Sequence, residues 1–370
     1  MSYYRVKDMK QKITEIANSM GIDIIGFTSL LDYGYLKDLL INRADKEYNS
    51  EFEENEINKR LDVRNIFPEC KSIIAIGIPY AEGYKKPVTK DMGLLSVSSY
   101  GIDYHKKLSG ILYNLAVEIK KHKCFEYAIC VDTSPLVDKE ICRNAQLGSC
   151  GKNTLLINES YGSFINLGYL LTDLELDDSE TIYRNICGDC DICIRSCPNN
   201  AIFKDGGLNS KKCVSYLTQT KNYIQVDYRN NMSNQIYGCD VCQLVCPKNK
   251  VNYSKNTQND YTELLIDLKE LMHISNKDFI KRYGHLSGSW RGKSVWKRNG
   301  LIAIGNLQLL SMYDTVKEEL ENPSELIRIY AAWSLLKLKN EDACDILNSK
   351  LKYEDDKIKQ EYIKLMELKL

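Results

Sequence analysis

The sequence predicts an α+β protein in three parts: a mixed α/β region, a cysteine-rich middle and a helical tail. In the first part, apolar β-branched runs alternate with amphipathic helical patterns. Two cysteine runs with short spacings follow, and after Asn252 the apolar residues recur at helical spacing. We therefore predict three domains, 1–180, 181–252 and 253–370, which suits a chain of 370 residues.

The first region opens with a predicted amphipathic helix over 6–20, which ends at Gly21. Further helices are predicted over 30–40, 103–122 and 135–145. Apolar strands are predicted over 22–27, 71–79, 127–131, 154–157 and 163–171. Strands and helices in alternation indicate a mixed α/β or α+β region with one core.

The middle region carries two cysteine runs that each end in Cys-Pro. The first, from Cys187 to Pro198, has the spacing C-x2-C-x2-C-x3-C-P, and the second ends at Cys246 and Pro247. This spacing is typical of a bacterial-type ferredoxin with two 4Fe–4S clusters, in which the fourth cysteine of a run binds the other cluster. We therefore assign Cys187, Cys190, Cys193 and Cys246 to one cluster, and Cys197, Cys213, Cys239 and Cys242 to the other.

Two four-cysteine zinc sites and a set of disulfides are the alternatives. Zinc knuckles require neither a third cysteine two residues on nor a proline after both runs. Disulfides suit exported chains, and the first residues lack the apolar core of a signal peptide. No run of about 18 apolar residues occurs. We therefore expect no membrane span and a cytoplasmic protein with reduced thiols.

Charge is balanced overall but not locally. The formal net charge is zero, yet six basic residues and no acidic residue lie between Phe279 and Tyr313. The basic and aromatic residues of interest there are Arg282, Trp290, Arg291, Lys293, Trp296, Lys297 and Arg298. Such alternation suits phosphate contacts and base stacking in RNA binding. An ordinary basic helix with tryptophan in the core is the alternative.

The apolar pattern of the tail predicts short amphipathic helices over 296–310, 315–320, 324–336, 342–351 and 354–368. Their pairing is typical of HEAT-like helical repeats, in which each helix pair buries its apolar face on the next. Residues 326–336 are the clearest repeat-like stretch. A plain helical bundle remains the alternative.

Two clusters indicate one-electron transfer but do not distinguish an enzyme from a carrier. A ferredoxin alone needs little more than the cluster region. Here long regions precede and follow it. These additional residues indicate a catalytic centre to which the clusters pass electrons.

Short motifs in a fixed order run through nearly the whole chain. They are RLDVR at 60–64, SIIAIGIPY at 72–80, GIDYH at 101–105, VDTSP at 131–135, GKN at 151–153, CVSYLT at 213–218, both cysteine runs, and SWRGKSVWKRN at 289–299. With these motifs the chain resembles the epoxyqueuosine reductases, the cobalamin-dependent enzymes of tRNA queuosine modification.

The resemblance implies a reaction and its cofactors. A reduced corrinoid cobalt, supplied with electrons by the nearer cluster, would remove the epoxide oxygen of epoxyqueuosine at the tRNA wobble position and yield queuosine. Cobalamin would bind in the 1–180 domain, and the helical tail would hold the tRNA. The implied electron donor is a protein such as flavodoxin or ferredoxin. We further expect no membrane partner and a monomer.

Asp132 is our candidate for the acid that protonates the departing oxygen. It follows an apolar strand where the chain leaves the sheet. Burial beside a corrinoid would raise its pKa. The alternative is that Asp132 caps the following helix. Asp138 is a less favoured acid, because we expect it on the face of that helix.

The resemblance also implies a set of residues around the corrinoid. These are Arg60, Tyr104, Asp132, Ile157, Ser215, Thr218 and Asp240. The D-x-H-x-x-G signature of corrinoid proteins that ligate cobalt through histidine is absent, since residues 103–108 lack the glycine. We therefore expect His105 to be a structural or pocket residue.

The sequence departs from the family pattern close to the proposed site. Ser149 stands where the family usually has tryptophan, Gln146 replaces a glycine, and Arg143 and Asn144 replace Glu-Arg. Cys142 and Cys150 are read as fillers of small buried spaces. One alternative is a related corrinoid reductase with a small-molecule substrate. The other is a non-enzymatic two-cluster electron carrier. Retention of added cobalamin would separate the enzymes from the carrier.

Overall fold

The computed structural model describes residues 2–87, 90–176, 184–249 and 259–368, with side chains from residue 8 onward. The chain forms two compact units, each assembled from separate stretches. Unit one takes Met1–Tyr84, Ile102–Lys211 and Val241–Asn259, and unit two takes Lys85–Gly101, Lys212–Asp240 and Asp260–Leu370. The predicted domain boundaries near 180 and 252 lie outside the described residues. The three-domain division therefore stays a prediction.

The strands and helices are numbered in chain order. The strands are β1 Ile24–Thr28, β2 Ser72–Pro79, β3 Met92–Leu95, β4 Tyr127–Cys130, β5 Ser149–Cys150, β6 Leu156–Ile157, β7 Ile165–Thr172, β8 Gln235–Tyr237 and β9 Leu265–Asp267. The helices are α1 Ser2–Ser19, α2 Lys37–Asp45, α3 Tyr104–Lys120, α4 Asp138–Asn144, α5 Ile192–Arg195, α6 Val214–Leu217, α7 Val226–Asn231, α8 Val241–Leu244, α9 Leu268–His273, α10 Asn276–Tyr283, α11 Lys293–Asn306, α12 Tyr313–Glu318, α13 Glu325–Leu338, α14 Asn340–Lys350 and α15 Asp356–Glu367.

Unit one is built on a four-stranded antiparallel sheet in the order β1-β2-β7-β4. An apolar core covers each face of the sheet. Successive side chains of a strand point to opposite faces, so neighbouring residues of β2 enter different cores. Ile73 and Ala75 join a core that includes Ile141 of α4, whereas Ile74 joins a second core with Leu112 of α3. The expected single core is therefore two apolar layers, one on each face of the sheet.

Most predicted elements of unit one are confirmed close to their predicted bounds. The helix predicted over 30–40 is wrong at its start, because Asp32 accepts a hydrogen bond of 2.7 Å from the Gly34 N–H and favours a turn there. The α-helix begins only at Lys37. The helix predicted over 135–145 begins only at Asp138. Residues 131–137 are therefore a loop between β4 and α4.

Unit two contains a three-stranded sheet in the order β8-β3-β9, with β3 parallel to β8 and antiparallel to β9. Strand β3 was not predicted, because its four residues are too few to show a period. The five helices predicted for the tail are confirmed as α11 to α15, with shifted ends. Among the described residues, no helix combines the length and the apolar character that crossing a membrane requires.

Candidate active site and cluster ligands

Asp132 lies in unit one, two residues beyond the end of β4. Its backbone has a φ of +55°, in the left-handed region. The Tyr104 hydroxyl donates to Asp132 Oδ2 over 2.6 Å, and His105 Nε2 lies 3.2 Å from the same oxygen. The residue that precedes α4 is Val137, and no side chain caps that helix. The helix-capping alternative for Asp132 is therefore wrong.

The ionisation of Asp132 is set by its neighbours on α3. The hydrogen bond from His105 lowers the pKa of the Asp132 carboxyl, and burial opposes this only in part. The same contact raises the pKa of His105, whose Nδ1 lies 2.7 Å from Asp103 Oδ1. The Asp132 side chain is 60% exposed. The expected rise in the pKa of Asp132 is therefore not found in the protein alone.

The pKa of Asp138 is shifted in the opposite direction. Burial raises the pKa of its carboxyl to about 6. Its Oδ1 accepts a hydrogen bond of 2.7 Å from the Tyr169 hydroxyl and lies 3.4 Å from Ser134 Oγ. Sequence reasoning missed Tyr169 and Ser134, because their polar contacts depend on the packing of α4 against β7.

Two residues that depart from the family pattern, Arg143 and Asn144, belong to a connected polar group. Tyr35 donates to Glu140 Oε2 over 3.1 Å and accepts from Asn144 Nδ2 over 3.1 Å. Arg143 pairs with Glu140 as well. The Cys150 thiol points at Glu140 Oε1 over 3.8 Å, and burial raises its pKa to about 11. Cys150 is therefore a neutral thiol that contacts this polar group and also packs against the apolar core. Cys142 is fully buried in that core, as predicted.

The first predicted cluster set comes together within unit one. Burial raises the pKa of Cys193, and the charges of Cys187, Cys246 and Cys190 raise it further, so these four thiols lie near one another. In the described part of the chain, no three histidine, cysteine or acidic side chains converge closely enough to ligate one metal ion. Cysteines that bind a cluster each bind a different iron, so they need not converge on one point.

Lys152 bonds to the loop that contains Cys187 and Cys190. Sequence reasoning missed this contact. Its backbone N–H donates to Cys187 Sγ over 3.4 Å. Its ammonium group donates to the carbonyl oxygens of Gly188, over 2.8 Å, and Cys190, over 3.1 Å. Hydrogen bonds to cluster sulfurs are one of the factors that set a reduction potential. The motif at 151–153 therefore contacts the cluster loop directly.

The second predicted set is divided between the units. Cys197 and Cys242 lie in unit one, and Cys213 and Cys239 lie in unit two. In unit one, the Ala201 N–H donates to Cys197 Sγ over 3.2 Å. The assignment of these four cysteines to one cluster stays a prediction.

The corrinoid candidates of unit one include a buried arginine. Arg60 Nη1 donates to Glu53 Oε2 over 3.2 Å, while its buried Nε has no hydrogen-bond partner among the described residues. Ile157 is buried and lies opposite Ser149 in the β5–β6 pair. Arg60 therefore retains a donor for a ligand, whereas Ile157 offers apolar surface.

The corrinoid candidates of unit two lie in the loops that carry its cysteines. Asp240 is buried and accepts from Ser96 Oγ over 2.5 Å and from the Val97 N–H over 2.8 Å. Thr218 Oγ1 donates to the Ser215 carbonyl over 2.8 Å and accepts from the Gly238 N–H over 2.9 Å. These contacts hold the segments that follow Cys213 and surround Cys239.

Part of the basic segment of unit two is exposed. Trp290 is 54% exposed, and the Arg291 guanidinium lies 4.7 Å from its ring centre. Arg291 Nε donates to the Gln219 carbonyl over 2.7 Å. Lys293 donates to the Ile274 carbonyl over 3.0 Å, and exposed Arg282 pairs with Glu270. This surface presents an aromatic face together with positive charge.

The remaining basic residues serve the interior of unit two, which corrects the prediction of RNA contact for them. Lys297 is buried and pairs with Glu319 over 2.5 Å. Arg298 is fully buried and donates to the carbonyls of Leu217, over 2.7 Å, and Thr220, over 2.5 Å. Trp296 is fully buried as well. The core-helix alternative is therefore correct for these three, because a buried side chain cannot reach an RNA backbone.

Two family profiles match parts of the chain. Residues 186–249 match the 4Fe-4S double cluster binding domain. Residues 60–133 match the family described as epoxyqueuosine reductase QueG, DUF1730.

Curated relatives match over nearly their full length. The epoxyqueuosine reductase of Staphylococcus aureus is 36% identical, over 97% of this chain and 96% of the relative. That of Bacillus subtilis is 34% identical, over 98% and 96%. That of Escherichia coli is 29% identical, over 92% of each chain.

Solved structures agree in fold. An epoxyqueuosine reductase crystallised with an epoxyqueuosine-modified tRNA-Tyr stem loop superposes with a TM-score of 0.92 at 34% identity, over 98% of this chain and 99% of that chain. The Bacillus subtilis enzyme, solved with its aspartate catalytic loop swung out of the active site, gives a TM-score of 0.90 at 34% identity, over 98% and 99%.

Proposed function

The chain belongs to the epoxyqueuosine reductase family, and we propose that it converts epoxyqueuosine to queuosine at the wobble position of a tRNA by removing the epoxide oxygen. The observation that carries the proposal is the Asp132 carboxyl. It stands on a loop at the end of β4 with two proton-bearing neighbours, in the unit that also contains the Cys187 set. A relative of the same fold has been solved with an epoxyqueuosine-modified stem loop.

The residues around Asp132 can deliver a proton to a departing oxygen. The hydrogen bonds to Asp132 and Asp103 raise the pKa of His105, so its imidazole keeps a proton to a higher pH than an ordinary histidine does. Its Nε2–H points at Asp132 Oδ2, and the Tyr104 hydroxyl donates to the same oxygen. A proton that moves from His105 Nε2 to Asp132 Oδ2 makes Asp132 the acid for the breaking C–O bond. Asp103 then holds the neutral imidazole through Nδ1–H.

The electrons come from the double cluster domain at 186–249. The proposed second cofactor is cobalamin, which when bound supplies a low-valent cobalt as the reductant. The unpartnered donor on buried Arg60 suits an amide oxygen on the rim of a corrinoid. The Tyr104 ring, which stacks on His105 at 4.0 Å, offers a flat apolar face beside Asp132. We assign Arg60, Tyr104, Asp132 and Ile157 of unit one to this cofactor, and the roles of Ser215, Thr218 and Asp240 stay predictions from the sequence.

The proposed tRNA contacts are Arg282, Trp290, Arg291 and Lys293, and the helices α11 to α15 are proposed as a HEAT-like repeat. Trp290 is half exposed and stands beside a guanidinium. That combination suits an unpaired anticodon base and its phosphate. The proposed electron donor is a protein such as flavodoxin or ferredoxin. We further propose a cytoplasmic monomer.

The decisive test uses an anticodon stem loop that carries epoxyqueuosine, with an excess of strong chemical reductant. The unmodified protein, reconstituted with iron, sulfide and cobalamin, should produce queuosine. Asp132→Asn should retain cofactors and lower turnover about 100-fold or more, because general acids commonly contribute that much. Asp23→Asn, which removes a carboxylate elsewhere in unit one that bonds to Tyr161, is the control. Full turnover by Asp132→Asn would exclude Asp132 as the acid.

A reductase for a small molecule is the second candidate. The polar group of Tyr35, Glu140, Arg143, Asn144 and Cys150 favours it, because Arg143 and Asn144 depart from the family pattern. It predicts that the protein binds cobalamin yet leaves the epoxyqueuosine stem loop unchanged. Turnover of the stem loop would exclude it as the main activity.

A further inference from the structure

The loop that carries Asp132 adopts a backbone conformation that a residue with a Cβ seldom takes. Asp132 has a φ of +55°, and Thr133 turns back to donate to the Val131 carbonyl over 2.5 Å. The Asp132 side chain bonds to Tyr104 and His105 on α3, not to its own loop. Surrounding structure must therefore hold the loop in place.

A hydrogen-bonded cluster beneath the loop provides that hold. Tyr169 is fully buried in β7, opposite Cys130 at the end of β4. Its hydroxyl donates to Asp138 Oδ1 over 2.7 Å and lies 3.0 Å from Ser134 Oγ. Ser134 belongs to the loop, and Asp138 begins α4. One buried hydroxyl thus connects the sheet, the loop and the helix that follows it.

We propose that Tyr169, Asp138 and Ser134, which we call the Tyr169 cluster, are positioning residues that hold residues 132–135 so that Asp132 meets Tyr104 and His105. The Tyr169 cluster acts through Asp132 and touches no substrate. This role deepens the proposed function and rests on it for the part that Asp132 plays.

The charge of Asp138 supports this role. Burial raises its pKa to about 6, while Tyr169, Ser134 and the Asp132 backbone amide lower it. The other titratable groups that interact with it are Asp132, Cys130 and Cys142. An ionised carboxylate in this place destabilises the folded state relative to its neutral form. Packing alone does not require a charge at this position. A carboxylate is, however, a stronger hydrogen-bond acceptor for the Tyr169 hydroxyl than a neutral group is.

The family supplies a precedent for a loop that moves. The Bacillus subtilis relative has been solved with its aspartate catalytic loop swung out of its active site. A loop that can leave its place requires contacts that favour one position over the other. The Tyr169 cluster provides such contacts in this chain.

The test removes the connecting hydroxyls one at a time. Tyr169→Phe deletes the central hydroxyl, and Ser134→Ala cuts the same link from the loop side without disturbing the buried ring. Tyr161→Phe, which loses a hydrogen bond of 2.8 Å to Asp23 elsewhere in unit one, is the matched control. We expect hydrogen exchange in a peptide spanning 131–137 to quicken about fivefold in both cluster variants, which is the factor for one net hydrogen bond. The control should match the unmodified protein.

Turnover gives the second readout. With reconstituted enzyme and the epoxyqueuosine stem loop, kcat should fall about fivefold in both variants, with KM and iron content unchanged. A third readout uses Asp138→Asn. Relative to that variant, the thermal midpoint of the unmodified protein should fall as pH rises from about 4 to about 6, because only the unmodified protein must ionise the buried Asp138 carboxyl.

The outcomes separate this inference from the proposed function. Unchanged exchange at 131–137 in both cluster variants would overturn the positioning role. Exchange that quickens equally throughout β2 and β7 would overturn it as well, because that result indicates general loosening. An unmodified protein that leaves the stem loop unchanged would refute the proposed function, while the exchange data would still decide whether the cluster holds the loop.

Discussion

At the residue scale, hydrogen bonding decides the ionisation of Asp132 and burial decides that of Asp138. Both carboxyls lie near the end of β4, six positions apart. Asp132 is exposed and receives hydrogen bonds from Tyr104 and His105, which lower its pKa. Asp138 is surrounded by protein, which raises its pKa to about 6. Two neighbouring carboxyls with opposite shifts suit one residue that handles a proton and one that positions it.

His105 should determine how turnover depends on pH. Its raised pKa keeps the imidazole protonated above its ordinary value of 6.5, and its contacts with Asp103 and Asp132 are lost as pH rises through the raised value. We therefore expect turnover to fall with rising pH at some point above 6.5. His105→Gln should turn over slowly and lack this decline. A pH series under excess reductant would measure it.

The control for that series is His122→Gln, which changes another histidine of unit one. It should reproduce the profile of the unmodified protein. If His105→Gln keeps the same alkaline decline, another group supplies the proton.

At the element scale, α11 shows why a basic pattern is an ambiguous sign of RNA binding. Arg298 and Asn299 face inward and donate to carbonyls of the two cysteine-bearing loops of unit two. The acceptors are Leu217, Thr218, Thr220 and Ile236. Their charge and amide groups satisfy carbonyls at the end of α6, in the residues that follow it and in β8. The helix thereby holds the segment after Cys213 and the segment before Cys239.

The exposed part of the segment should bind RNA. The double variant Trp290→Ala, Arg291→Ala removes a stacking face and one positive charge. We expect the affinity for the stem loop to fall about tenfold, and the slope of log affinity against log salt to become shallower by about 0.7. A salt series by fluorescence anisotropy measures both quantities.

A second exposed pair in the tail provides the comparison. The Lys352 ammonium lies 4.7 Å from the ring centre of Tyr353, which is 77% exposed. The variant Lys352→Ala, Tyr353→Ala should bind the stem loop as the unmodified protein does. Equal losses in both double variants would mean that the tail binds RNA through diffuse charge and not through Trp290.

At the scale of the whole molecule, the four cysteines predicted to hold the first cluster are distant in sequence but share a unit. Cys246 joins Cys187, Cys190 and Cys193 in unit one although more than 50 residues separate it from them. Buried Asn249 fixes its segment: its Oδ1 accepts from the Ser163 N–H over 2.7 Å. Its Nδ2 donates to the Gln243 carbonyl over 2.7 Å. The loop before β7 therefore positions the last cysteine of the set.

Cys246→Ala should remove one cluster and leave the other. Iron content should fall from about eight to about four atoms per chain, since each cluster holds four. Cys124→Ala, which changes an exposed cysteine outside both runs, should retain full iron. Unchanged iron in Cys246→Ala would refute the assignment of Cys246 as a ligand.

The sequence by itself determined the features that depend on neighbours in the chain. The cysteine spacing predicted the double cluster domain, which the family profile confirms. The apolar runs predicted β2 and β7, because a strand buried on both faces is apolar throughout. The order of short motifs identified the family.

Only the tertiary structure decided the features that depend on distant contacts. The pKa of Asp132 follows from the approach of α3 to the end of β4, and the burial of Arg298 follows from the packing of α11 on the loops of unit two. The Tyr169 cluster joins residues 35 positions apart. Local spacing leaves a trace in the sequence because it acts through the chain itself. A hydrogen bond between distant segments leaves none, because the same residue type can equally face solvent.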